Sequence, residues 1–153
     1  MPDHNTSRVA GLSGRAEIEA FVTDWYHKLD IHAPAEQLVA LVDERVEMQF
    51  PEGTIRGAEP FRTWYEGVIR LFFDELHTVT RVGVAWQDQR CLVDVVVNWQ
   101  ARRWRPPAPR SEWIGFDAYQ RWEMVPAPRN DGRLVVSRYL VDELRPMPGS
   151  PPL

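Results

Sequence analysis

Residues 77–101, HTVTRVGVAWQDQRCLVDVVVNWQA, decide the architecture. Two runs rich in Val, Thr and Trp, His77–Trp86 and Cys91–Ala101, flank the polar break Gln87-Asp88-Gln89. That pattern reads as two long strands joined by a tight turn. In the second run Val93, Val95, Val97 and Trp99 share one face, and Asp94, Val96, Asn98 and Gln100 share the other, because side chains alternate along a strand. Two further runs, Glu112–Val125 and Arg133–Asp142, follow the breaks RWRPPAPR and PAPRNDG. Four long strands in succession, each reversed by a short polar loop, predict an antiparallel meander.

Upstream the period changes. Ile18, Phe21, Val22, Trp25 and Leu29 recur at the spacing of one helical face, with Ser13 available as a cap. Pro34 is placed to begin a second, short helix through Leu38, Leu41 and Val42. Val46, Met48 and Phe50 then alternate with Glu47 and Gln49 as a strand, turned by Pro51-Glu52-Gly53. Pro60 opens a third helix whose buried stripe is Phe61, Trp64, Tyr65, Val68 and Phe72. Helices segregated from antiparallel strands define an α+β fold. The chain of 153 residues fits one domain, expected over residues 13–145, with mobile Pro- and Gly-containing tails at 1–12 and 146–153.

Bulk composition excludes several functions. A net charge of −4 argues against a nucleic-acid partner, which selects a basic stripe. Cys91 is the single cysteine, so no intrachain disulfide forms. No apolar run reaches the length of a membrane span, and the N-terminus has no secretory apolar core, so a cytoplasmic chain without a membrane partner is expected. His27, Asp30 and His32 lack a diagnostic ligand spacing, and no metal is expected. No phosphate-binding glycine loop or nucleophile elbow is present, and no cofactor is expected.

WYHKLD at 25–30, FPEGTIRG at 50–57, FRTWY at 61–65 and DGRLVVSRYLVDE at 131–143, in this order of elements, resemble the nuclear transport factor 2-like superfamily. Within it the chain looks like small bacterial proteins related to polyketide cyclases, steroid isomerases and scytalone dehydratases. The resemblance implies a cone: a strongly curved antiparallel sheet and three N-terminal helices enclosing an apolar pocket. It also implies a homodimer through the sheet's outer face.

It further implies site residues. Tyr26 aligns with a tyrosine that, in steroid isomerase relatives, donates to a developing enolate oxygen. Asp117 matches those enzymes' second donor, an aspartic acid kept protonated by an apolar site. Phe50 occupies the position of their proton-shuttling carboxylate, which argues against that route. His77, at the junction of helix and strand where scytalone dehydratase relatives often carry a histidine, is the acid/base candidate, since imidazole titrates near neutrality. Asp94 is its expected orienting partner, because a carboxylate within an apolar strand is costly unless paired. Trp25, Phe50, Trp64, Phe72, Phe73, Trp113 and Tyr119 are the expected aromatic lining for a small hydrophobic molecule. The function expected is cofactor-independent acid/base chemistry, of isomerase, dehydratase or cyclase type, on a hydrophobic carbonyl compound. The alternative is a non-catalytic binding or assembly module of the same fold.

Overall fold

The computed structural model describes the backbone of residues 4–153 and the side chains of residues 14–153. Helix α1 (His4–Asp30) is followed by α2 (Ala35–Val39), strands β1 (Val42–Phe50) and β2 (Gly53–Arg56), and helix α3 (Ala58–Leu71). Four long strands complete the chain: β3 (Phe72–Gln87), β4 (Arg90–Arg103), β5 (Glu112–Ala127) and β6 (Arg133–Pro146). All six strands form one curled, unclosed sheet in the order β2-β1-β6-β5-β4-β3. The meander β3 to β6 is antiparallel throughout, as the alternating runs require. β1 is the exception: it pairs parallel with β6, which makes the sheet mixed. No described helix is long and apolar enough to cross a membrane.

The α1 stripe is buried as its spacing dictates. Ile18, Val22, Trp25 and Leu29 pack onto Phe61 and Tyr65 of α3 and the inner faces of β4 and β5. The helix begins at His4, so Ser13 lies inside it rather than capping it, and residues 4–12 of the expected tail are helical. Residues 1–3 of that tail fall outside the described residues. The helix ends at Asp30, and two residues on His32 takes the left-handed conformation (φ 52°). Ala33 N–H bonds to the Lys28 carbonyl and His32 N–H to that of Leu29, a Schellman stop with histidine where glycine is usual.

Two irregularities shape β3. From Phe73 to Leu76 the strand advances three residues while its partner β4 advances two, from Arg102 to Gln100. Asp74, at φ 50°, belongs to this bulge. A second extra residue follows between Val79 and Arg81. The first bulge sets Glu75 and His77 on the inner side and leaves Leu76 largely exposed.

The C-terminal stretch read as a tail is hydrogen-bonded to the sheet. β6 reaches Pro146, and Met147 N–H then donates to the Gly115 carbonyl, while Gly115 N–H donates to Ser150 Oγ at 3.0 Å. A Cβ on Gly115 would stand 2.7 Å from Met147 Sδ and 2.6 Å from the Trp113 ring, so only glycine permits this approach. The buried Arg103 guanidinium holds the Pro152 carbonyl at 2.7 Å and Glu112 at 2.9 Å.

Candidate active site

Between α1, α3 and the inner face of the sheet lies a cavity of about 130 Å³. Phe50, Trp64, Phe72 and Trp99 supply most of its aromatic wall. Its polar atoms come from Tyr26, Gln120, Tyr139, His77, Glu75 and Glu52. Apolar walls with a few convergent polar groups are the ordinary composition of a small-molecule site.

His77 is held from the end of α1. Its Nδ1 lies 2.6 Å from Asp30 Oδ1, and its backbone N–H donates to Asp30 Oδ2 at 3.0 Å. A carboxylate at that distance places the ring proton on Nδ1 and leaves the Nε2 lone pair free. Nε2 makes no hydrogen bond to any described residue. The imidazole lies between two rings: Tyr26 at 4.7 Å between centroids and Trp99 at 6.0 Å.

A second polar group is built around Tyr26. Trp122 Nε1, a donor only, gives its proton to Gln120 Oε1 at 3.0 Å, which orients the amide so that Gln120 Nε2 donates to the Tyr26 hydroxyl at 2.9 Å. The Tyr26 hydroxyl also lies 3.1 Å from that of Tyr139. Burial, and after it the charge of Tyr139, holds the Tyr26 hydroxyl well above the ordinary phenol range. Burial pushes Tyr139 up to about 12 despite its hydrogen bonds. Both phenols stay neutral near pH 7, as hydrogen-bond donors.

The remaining expected residues divide by strand face. Phe50, Trp64 and Phe72 line the cavity, although Phe72 opens β3 instead of ending the third helix. Phe50 stacks on Trp64 at 4.9 Å and contributes wall, with no proton to move. Trp25 is core, 1% exposed and packed against Phe61, Trp122 and Tyr139. Asp94 is exposed on the outer face opposite Arg121, so Asp30 and not Asp94 orients His77. Asp117 also faces outward, accepting from Asn98 Nδ2 at 3.0 Å. Tyr119 accepts from Arg145 on that same face, Trp113 covers Gly115, and Phe73 is exposed. Alternation divides β5 into a face of Trp113, Asp117 and Tyr119 and a face of Phe116, Ala118, Gln120 and Trp122, and the inward one is the latter.

Gln120, Tyr139, Asp30 and Glu75 are the site groups the sequence reading left without a role. Gln120 carried a signal: it is the polar member of an otherwise apolar strand face, and it is 4% exposed.

No protein-family model matches the chain, and no curated protein matches it. Solved structures do. Hexachlorocyclohexane dehydrochlorinase LinA-type3 from Novosphingobium barchaimii superposes with a TM-score of 0.74 at 18% identity, covering 95% of this chain and 99% of that one. A Novosphingobium aromaticivorans protein provisionally assigned as a scytalone dehydratase gives 0.70 at 20% identity, over 90% and 86% of the two chains. ActVI-ORFA from Streptomyces coelicolor gives 0.66 at 15% identity, over 84% and 96%. The chain therefore has the nuclear transport factor 2-like α+β fold.

Proposed function

We propose that this chain is a cofactor-independent acid/base enzyme acting on a small hydrophobic carbonyl compound. The observation that carries the reading is the Asp30–His77 pair, whose free Nε2 belongs to an imidazole lining an apolar cavity beside the Tyr26 and Tyr139 hydroxyls. His77 Nε2 removes a proton from the carbon next to the carbonyl, and the imidazolium that forms is stabilised by Asp30. The electron pair moves onto the carbonyl oxygen, which receives a hydrogen bond from the phenol pair. A preorganised donor in a water-excluding site contributes about 2.7–4 kcal/mol to such a transition state. A general base contributes about 10²–10⁴-fold in rate. The enolate then takes a proton at another carbon or expels a leaving group. The expected homodimer through the outer sheet face is part of the same reading, and sedimentation equilibrium tests it.

The first experiment is deuterium uptake by benzylacetone in D₂O, followed by NMR. Wild-type protein is expected to accelerate exchange at the carbons flanking the ketone, and His77→Ala to abolish the acceleration while His27→Ala preserves it. Equal rates in these two variants would overturn the reading.

One observation favours a second reading, a carrier of hydrophobic ligands. The Tyr26, Gln120, Tyr139 and Trp122 cluster is hydrogen-bonded within itself. Saturable binding of benzylacetone without any exchange would select the carrier.

A further inference from the structure

Glu75 is the cavity group that the chemistry above leaves unused. Its side chain is 3% exposed, yet no arginine or lysine among the described residues pairs with it. Oε1 accepts the Trp99 indole N–H at 3.2 Å, and Oε2 lies 2.7 Å from His32 Nε2. His77, two residues along the same strand, and the Tyr65 hydroxyl of α3 also face it. Burial raises the Glu75 carboxyl above the usual carboxylate range, against the opposing pull of His32, His77 and Trp99. Glu75 is thus a buried carboxyl group on the wall of an apolar cavity, beside a base.

Two separate departures from regular backbone bring Glu75 and His32 together. The bulge at Asp74 turns Glu75 inward, and the left-handed stop of α1 projects His32 toward it. The two ends of the pair differ in access: His32 is 29% exposed, so one end meets solvent and the other meets the cavity. Ion pairing between a helix end and a strand would serve stability with the carboxylate at the surface. Here it is placed inside the site.

We propose that Glu75 and His32 form a second proton-carrying pair, which delivers a proton from solvent to a leaving oxygen in the cavity. The inference rests on the acid/base reading and narrows it to elimination of water from a β-hydroxy carbonyl compound. His77 takes the proton next to the carbonyl, and that electron pair becomes the new carbon–carbon double bond. The carbon–oxygen bond breaks with its electrons leaving on oxygen. Glu75 gives its proton to that oxygen, releasing water, and its carboxylate is reprotonated by the His32 imidazolium. His32 recovers its proton from solvent, and the proton held by His77 returns to solvent, so the cycle closes without an oxidant or reductant.

The test compares β-hydroxybenzylacetone with its acetate ester, whose leaving group needs no proton. Glu75→Gln is expected to slow loss of water so that the acetate-to-hydroxyl rate ratio rises about 10²-fold. His32→Gly, which suits the backbone at φ 52°, is expected to raise the ratio in the same direction, with partial recovery in added imidazole. Equal slowing of both substrates, or of neither, would overturn the proposal. A measurement without ligand separates it from the parent reading: the Glu75 carboxyl, followed by ¹³C NMR, is expected to titrate above the ordinary glutamate range and to move further up in His32→Gly. Titration within that range would overturn the pair even where His77-dependent exchange is observed. Absence of exchange in wild-type protein would overturn the acid/base reading itself.

Discussion

The phenol ring of Tyr26 lies nearly parallel to the imidazole of His77, with 4.7 Å between centroids and 26° between planes. Tyr26 comes from the edge of the buried stripe of α1 and His77 from a strand, and Asp30, one turn beyond Tyr26, fastens the contact. Donor and base are therefore positioned by the same helix turn. Asp30→Asn should retain a side chain of the same shape while removing the charge that fixes the Nδ1–H tautomer. Deuterium uptake is expected to fall about 10²-fold or more, and ¹⁵N NMR should show mixed His77 tautomers in place of one.

Asp94 supplies the contrasting case. It is exposed on the outer face across from Arg121. Asp94→Asn should leave exchange and elimination rates within about twofold of wild type and stability within about 0.5 kcal/mol. A large loss of rate in this variant would show that the active wall of the sheet has been misassigned.

The phenols give a pH signature. Tyr26 and Tyr139 bind their protons more tightly folded than unfolded, since burial raises both. Their contribution to stability is complete below the ordinary phenol value of about 10. It is lost as pH rises from there through about 12. Urea denaturation at increasing alkaline pH should show this decline, and Tyr139→Phe should flatten it.

Asp74 holds a left-handed backbone at φ 50° within the β3 bulge. Asp74→Val should cost about 1–2 kcal/mol, because a branched Cβ is poorly tolerated there. Asp74→Gly should be close to neutral, its relief of strain offset by greater freedom in the unfolded chain. The midpoints of urea unfolding at constant m-value distinguish the two.

Alternation made β4 readable: Val93, Val95 and Val97 are buried, and Asp94 is out. It could not choose the inner face of β5, because aromatic residues occupy both sides, Trp113 and Tyr119 on one and Phe116 and Trp122 on the other. Tyr26 was legible because it borders a helical stripe, and His77 because the alternating run in the sequence begins there. β3 itself starts at Phe72, so His77 lies within the strand and not at its junction with the helix. Glu75 was hidden by the bulge, which interrupts the strand period that would have revealed it. The Asp30 contact was hidden by distance along the chain, 47 residues, over which no local period carries information. The parallel pairing of β1 with β6 depends on the path of α3 between distant strands, and no short motif encodes it.

That bulge also governs how this cavity tolerates insertions and deletions during divergence. Asp74 belongs to the extra-residue interval, so a strand shortened there keeps Glu75 and His77 pointing the same way. Lengthening or shortening the strand farther off turns both together, because side-chain direction simply alternates. Only a change at Leu76, the residue between them, would send one inward and the other to solvent. A register shift anywhere else along β3 therefore moves the acid and the base together, so strand geometry couples their orientation even though they lie on separate residues.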